Sequence, residues 1–375
     1  MPAKNVLNPL SIPNSQKMIR LPFPKTRSPF STYRSLSLPP HWRIAWGNVD
    51  GLDNGVTWRD RHLAIYHAQP ALSPDGRFVV VGDIWLSDTS DNPQEFVAQL
   101  WQRFGVDCLQ MLTGTFALAV WDRETEQLWL GRDRAGSRTL YYTTVGSTRW
   151  IAPRLKNLAP HHSQELNLVA LRDYLCCAFV PGERTLWREV RELRPGNFLC
   201  FKEELKSPSP AVYWQPQEQI QNADKSIEWH GEKLRSLLDL IVQEYLPENE
   251  PVGAYLSGGL DSSCIVALAA KFHGQPVRTY SIHFGSKLPN ELEFSSAVAE
   301  HCQTEHQILE ITADEMWEKL PVAMANLDEP IGDPLTVPNY LLGQLAKENC
   351  RVILNGEGGD PCFGGPKNKP MLLNN

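Results

Sequence analysis

Residues 252–270 read VGAYLSGGLDSSCIVALAA. An apolar run gives way to two glycines, an acid and three hydroxyls, then returns at once to apolar residues. Flexible and polar groups are costly in such a place unless something binds there. The surrounding pattern says where the loop sits. Strand-like runs at 252–256, 277–284, 306–311 and 351–355 alternate with helical patterns at 262–273, 291–303, 312–326 and 338–349. Thr312 and Glu315 have the spacing of a capping box. Such alternation implies right-handed βαβ units and a parallel sheet. The loop Ser257-Gly258-Gly259-Leu260-Asp261-Ser262-Ser263 is therefore the turn between the first parallel strand and its helix.

Ligands of such sheets bind beyond the carboxyl ends of the strands. Glycines let backbone N–H groups approach an anion, and the helix N-terminus adds unpaired donors and a favourable dipole. The hydroxyls of Ser257, Ser262 and Ser263 add further donors. The matching guest is phosphate or pyrophosphate. Asp261 would repel it unless Mg²⁺ stands between them. A plain Gly/Ser turn would account for SGG alone but not for the full string after a strand. GxxxxGK[ST] is absent, so this is not a Walker loop. A second loop, Asn355-Gly356-Glu357-Gly358-Gly359-Asp360, follows the last strand. If the two strands are neighbours, Asp261 and Asp360 face one cleft and are the candidate metal ligands. The competing reading of the second loop is a flexible acidic turn.

The preceding half is of another kind. From Trp42 to about Phe201, short β-like runs (HLAIYHA, RFVVVGDIW, TFALAVWD, QLWLGRD, TLYYTTV, RWIA) are separated by turn signals, with one helix expected over 92–105. This predicts an α+β layer domain built on antiparallel sheet. Residues 1–40 read as a basic Pro/Ser-rich tail, with eight prolines before residue 41 and no acid before residue 50. The expected divisions are 1–40 tail, 41–205 first domain, 206–228 linker and 229–375 second domain, with a helix opening the last at about 229–245. The net charge of −7 argues against a nucleic-acid partner. No apolar run reaches the ~18 residues of a membrane span. Eight cysteines without a CxxC pair, mostly inside apolar runs, favour buried free thiols, a reducing cytoplasmic setting and no zinc.

SGGLDSS together with GEGGD-x-x-FGG resembles the synthetase half of the asparagine synthetase family. YSIHF (280–284), NELEFSSAVAEH (290–301), TEH (304–306) and DEP-x-x-DP (328–334) follow in the family's order. LTGTFALAVWD (112–122), GRDRAGSRTLYY (131–142), IAPRLKNL (151–158) and LRPG (193–196) resemble its class II glutamine amidotransferase domain. The implied fold is an Ntn-hydrolase-like sandwich, then a PP-loop (adenine nucleotide α-hydrolase-like) parallel-sheet domain. The implied activity is ATP- and Mg²⁺-dependent adenylation of a small-molecule or peptide carboxylate, with amide formation. By motif, Ser257, Gly258, Gly259, Asp261, Ser262 and Ser263 would bind pyrophosphate and Mg²⁺. Leu256, Ile282, Asn355 and Gly356 would lie at the nucleotide, and Glu357 and Asp360 would serve substrate and metal.

The sequence departs from the family's pattern in two places. The family's N-terminal cysteine nucleophile is absent: position 2 is Pro2, and the first cysteine is Cys108. The glutamine-pocket NGE reads Val81-Gly82-Asp83, and an expected aspartate falls on Pro93. The glutaminase half is thus expected to be inactive, as in the β-lactam synthetase or lasso-peptide cyclase branch, where an internal amine closes a ring. The chain also ends at Asn375, before the helical portion that carries the family's lysine, and Lys367 and Lys369 are no substitutes. That implies an incomplete synthetase domain and apolar surface for a partner chain or second copy. A non-catalytic nucleotide-binding remnant is the competing reading from another class.

Overall fold

The computed structural model describes residues 41–87, 92–202, 208–217, 225–285, 288 and 291–363. The predicted tail 1–40 and Lys367 and Lys369 lie outside them.

The first half is a sandwich. Its strands are β1 (Arg43–Gly47), β2 (Val56–Asp60), β3 (Leu63–Tyr66), β4 (Ala71–Leu72), β5 (Phe78–Leu86), β6 (Gly114–Asp122), β7 (Gln127–Arg132), β8 (Tyr141–Val145), β9 (Thr148–Ala152), β10 (Arg191–Glu192), β11 (Asn197–Phe201) and β12 (Ala211–Val212). They form two six-stranded sheets, ordered β10-β8-β9-β1-β3-β2 and β12-β11-β7-β6-β5-β4, with antiparallel pairing throughout. Period-2 alternation decides what each strand buries. Val79 and Val81 of β5, with Ala117, Ala119 and Trp121 of β6, enter the core between the sheets. Val80, Leu118 and Val120 point the other way, against Val97, Ala98 and Trp101 of helix α1 (Pro93–Phe104). Both faces of these strands are covered, so they read as continuous apolar runs rather than as alternation.

The expected linker is partly structural. β12 pairs with β11, and the Tyr213 hydroxyl donates to the Arg132 carbonyl at 2.8 Å. Residues 211–214 therefore complete the sandwich. The 10-residue helix α2 (Leu168–Cys177) has no counterpart in the sequence reading. The expectation of buried thiols holds only for Cys108 and Cys350. Cys176, Cys177 and Cys362 are exposed, because an apolar neighbourhood in sequence does not choose which face of a helix a side chain takes.

Helix α3 (Ile227–Tyr245) leads into the second half. A parallel sheet of β13 (Val252–Tyr255), β14 (Arg278–His283), β15 (Glu305–Glu310) and β16 (Val352–Leu354) has the order β15-β14-β13-β16. Its connecting helices are α4 (Leu260–Phe272), α5 (Leu292–His301), α6 (Ala313–Asn326) and α7 (Thr336–Lys347), followed by the short α8 (Gly359–Phe363). The capping box at the start of α6 is formed in both directions, Thr312 to Glu315 and back. The order reverses between β13 and β16, which makes that seam the topological switch point. No helix among the described residues is long and apolar enough to cross a membrane.

The segment after α6 touches the sandwich. Asp328 pairs with Arg154 at 2.6 Å, and the Leu186 N–H donates to Glu329 at 2.6 Å. On another side, the rings of Trp85 and Tyr245 meet at 4.8 Å. Burial, then the nearby charges of Glu192 and Asp328, push the Glu329 carboxyl up to about 7, against the lowering pull of the Leu186 N–H. The docked state therefore holds the proton more tightly than a solvated carboxyl would. The contribution of Glu329 to docking is full below the ordinary value of 4.5 and is lost as pH rises through about 7. Hydrogen exchange of residues 326–335 should show protection that falls between pH 5.5 and 8. In Glu329→Gln that slope should vanish, and an unchanged slope would rule out this carboxyl as its source.

Candidate active site

The pairing of β13 with β16 builds the site. Val252, Gly253 and Ala254 lie opposite Val352, Ile353 and Leu354 in parallel register, so both glycine loops leave the sheet side by side. They come into direct contact. A Cβ on Gly356 would lie 2.7 Å from the Ser262 nitrogen, and one on Gly359 would lie 2.2 Å from an Asp261 carboxylate oxygen. These glycines are what lets the second loop close onto the first.

Between the loops is a cavity of about 900 Å³. Leu256, Ser257, Gly259, Asp261 and Ser262 line it from the first loop, and Ile282 from the end of β14. Asn355, Gly356, Glu357 and Asp360 line it from the second. Gly258 and Ser263 do not. Gly258 has φ +91° and lies under α5, where a Cβ would be 2.9 Å from the Ser295 nitrogen and from the Phe294 Cβ. The Ser263 hydroxyl is buried without a hydrogen-bond partner among the described residues. Sequence reasoning gave no site role to His283, Glu291, Leu335, Asn339 or Leu342, which also line the cavity. For His283 a signal was present, since it follows Ile282 at a strand's carboxyl end. The α7 residues carry no glycine or acid motif of their own.

Hydrogen bonds set the first loop. Ser262 Oγ donates to the Gly259 carbonyl at 3.1 Å and lies 3.0 Å from Ser257 Oγ. A hydroxyl has one proton, so Ser257 supplies the proton shared between them. Ser257 Oγ also accepts from the Gly259 N–H at 3.2 Å. Two of the three hydroxyls expected to meet an anion, those of Ser257 and Ser262, are thus spent within the loop, and the third, on Ser263, lies outside the cavity lining. What remains is the start of α4, where Gly259 is the N-cap with no side-chain cap bond, and the amides of Leu260, Asp261 and Ser262 precede the first intrahelical donor, Ser263. N–H groups without a partner among the described residues are the kind of donors that can cradle an anion.

Charge points the same way with a qualification. The described lining includes the carboxylates of Asp261, Glu291, Glu357 and Asp360 and no Lys or Arg. A polyphosphate entering alone would meet repulsion. A hard divalent cation taking oxygens from Asp261 and Asp360 and from the phosphates removes it, so the donor set fits Mg²⁺. Among the described residues there is no group of three or more His, Cys, Asp or Glu able to hold a metal unaided, so the ligand's own oxygens would have to complete the shell.

The sandwich holds a partly buried ion pair of its own. Asp83 of β5 pairs with Arg138 at 2.9 Å; burial raises its carboxyl and Arg138 pulls it back. Pro93 occupies the first turn of α1, capped by Asn92, which accepts from the Gln94 and Glu95 N–H groups. Buried Trp42 precedes β1. The Cys108 thiol is fully buried, and burial pushes it up to about 12.

A family model described as Asparagine synthase matches residues 233–374, and one described as Glutamine amidotransferase domain matches residues 68–214. The chain is 30% identical to a putative glutamine-hydrolyzing asparagine synthetase of Mycobacterium tuberculosis over 85% of its own length and 54% of that protein's. It is 27% identical to asparagine synthetase 1 of Bacillus subtilis, over 74% and 43%. The chain spans about half the length of the curated relatives it matches. A glutamine phosphoribosylpyrophosphate amidotransferase of B. subtilis aligns in structure at 11% identity and a TM-score of 0.31, covering 72% of this chain and 59% of that one.

The two glycines of SGG should respond differently to alanine. Gly258→Ala combines a left-handed φ with clashes against α5 and should cost about 2–3 kcal/mol in denaturant unfolding. Gly259 has φ −68°, and a Cβ there meets only Ser257 Oγ at 3.3 Å, so its substitution should cost little. Equal losses at both positions would contradict this division.

Proposed function

The chain belongs to the asparagine synthetase family, and from that premise we propose that it is an ATP-dependent carbon–nitrogen ligase that activates a carboxylate as an acyl-adenylate. One observation carries the reading: two glycine–carboxylate loops at the carboxyl ends of adjacent parallel strands line a single cavity. In the proposed reaction, the substrate carboxylate attacks the α-phosphorus of ATP and pyrophosphate leaves. An amine then attacks the acyl carbon and AMP leaves. Bound Mg²⁺ would neutralise charge on the phosphates. The chain's own contribution is the amide cradle at α4 for the leaving pyrophosphate, metal oxygens from Asp261 and Asp360, and Glu357 toward the carboxylate substrate.

The expected measurement is Mg²⁺·ATP binding to the 375-residue chain by calorimetry. Asp261→Asn removes one anionic metal ligand and should weaken binding about tenfold or more, the equivalent of about 1.4 kcal/mol or more. Equal affinity in the two proteins would remove Asp261 from the metal site. Carboxylate-dependent ATP–pyrophosphate exchange tests the adenylation step itself.

For the sandwich, the reading is loss of glutamine hydrolysis, with the amine supplied by the substrate, as in a macrolactam-forming cyclase. What supports it is chemical. A thiol nucleophile acts as the thiolate, and Cys108, buried and pushed up to about 12, is not one at neutral pH. The acid that matches the glutamine pocket, Asp83, is taken up by Arg138. Purified protein should release no glutamate from glutamine. Release that persists after contaminating glutaminase is excluded would overturn this half of the proposal.

A further inference from the structure

We propose that Arg154 of the sandwich is a positioning residue for the cavity: by clamping the segment after α6, it sets where the start of α7 stands. The proposal rests on the nucleotide reading for its ligand, and on its own geometry for the rest.

The clamp has several points. The Arg154–Asp328 pair is mostly shielded, with side chains 21% and 13% exposed. Arg154 Nη2 donates to the Asn326 carbonyl at 2.9 Å, and Lys156 Nζ to the Ala325 carbonyl. The Gly332 N–H donates to the Ala178 carbonyl at 2.7 Å, so close that a Cβ on Gly332 would come within 2.8 Å of the Ala178 Cβ. The segment therefore lies directly on the sandwich from Ala325 to Gly332.

From there to the cavity the path is short and stiff. Pro330 and Pro334 each fix φ near −65°. Asp333 ties the start of α7 with two local bonds, its Oδ1 accepting from the Leu335 N–H and its carbonyl from Thr336 Oγ1, both at 2.8 Å. Leu335 and Asn339 are the next side chains along, and both line the cavity opposite the glycine loops. α7 also buries Val337, Leu342 and Ala346 on its own account. Mere attachment of one domain to another would leave its first turn indifferent to Arg154; a positioning role would not.

The test compares the 375-residue wild type, Arg154→Ala, Asp328→Asn and Arg154→Lys. Arg188→Ala, which removes an exposed pair with Glu165, serves as control. Hydrogen exchange without ligand should speed up over residues 335–347 in Arg154→Ala and Asp328→Asn, while α4 exchanges as in wild type. Calorimetry should find Mg²⁺·ATP bound about five- to tenfold more weakly by those two variants. Arg154→Lys keeps the charge and should recover most of both signals, and Arg188→Ala should change neither. If α7 exchange is unaltered in both clamp variants, or if it rises with no change in affinity, the positioning role is wrong. If wild type binds no Mg²⁺·ATP, the nucleotide reading fails, and the clamp then stands or falls on the exchange data alone.

Discussion

The parallel pairing of β13 with β16 is the constraint on which the rest of the site depends. These strands lie almost 100 residues apart in sequence, and nothing local brings them together. Their adjacency arises because the chain builds outward through β14 and β15 and then crosses back to the other side of β13. At that reversal the flanking helices diverge and leave a crevice. Glycines at 356 and 359 let one loop close onto the other, and α4 begins directly behind the first loop with no side-chain cap. A side chain at either glycine would collide with Ser262 or Asp261.

The two halves handle charge in opposite ways. In the sandwich, shielded charges meet opposite charges: Arg132, buried, meets Glu192 at 2.7 Å and also donates to the carbonyls of Gly136 and Arg138, and Asp83 is closed against Arg138. Buried charges of this kind are held at a desolvation cost and favour one arrangement over others. The described cavity lining, by contrast, gathers four carboxylates and no Lys or Arg, a disposition that favours a cation-bearing guest.

Much of this was legible in advance for a definite reason. The βαβ alternation, the capping box at Thr312 and Glu315 and the SGGLDSS turn are local patterns, each set by neighbours within a few residues. The strands of the sheet and its helices fall close to where periodicity put them. The sandwich strands were legible as apolar runs, but not the division between its sheets, because strands covered on both faces lose their alternation. Arg154 with Asp328, and Leu335 with Asn339, were not legible as parts of the assembly. Arg154 and Asp328 lie in stretches already singled out, IAPRLKNL and DEP-x-x-DP, but their pairing joins segments distant along the chain, which no local pattern encodes. The serine hydroxyls were expected to donate to an anion, whereas those of Ser257 and Ser262 fasten the loop internally, which depends on side-chain angles no sequence pattern encodes.

That last detail has a consequence for selectivity. With the protons of Ser257 and Ser262 committed to the loop's own oxygens, the groups left to greet an anion are main-chain amides. Amides neither ionise nor swivel, and they cannot reverse from donor to acceptor as a hydroxyl can. A cradle of that kind recognises only acceptors. It would turn away neutral ligands that rely on donating a hydrogen bond, and over the physiological pH range the amides themselves would not change their grip. Because the hydroxyl bonds hold the loop before any guest arrives, little chain disorder remains to be removed on binding, and discrimination rests on shape and polarity already in place.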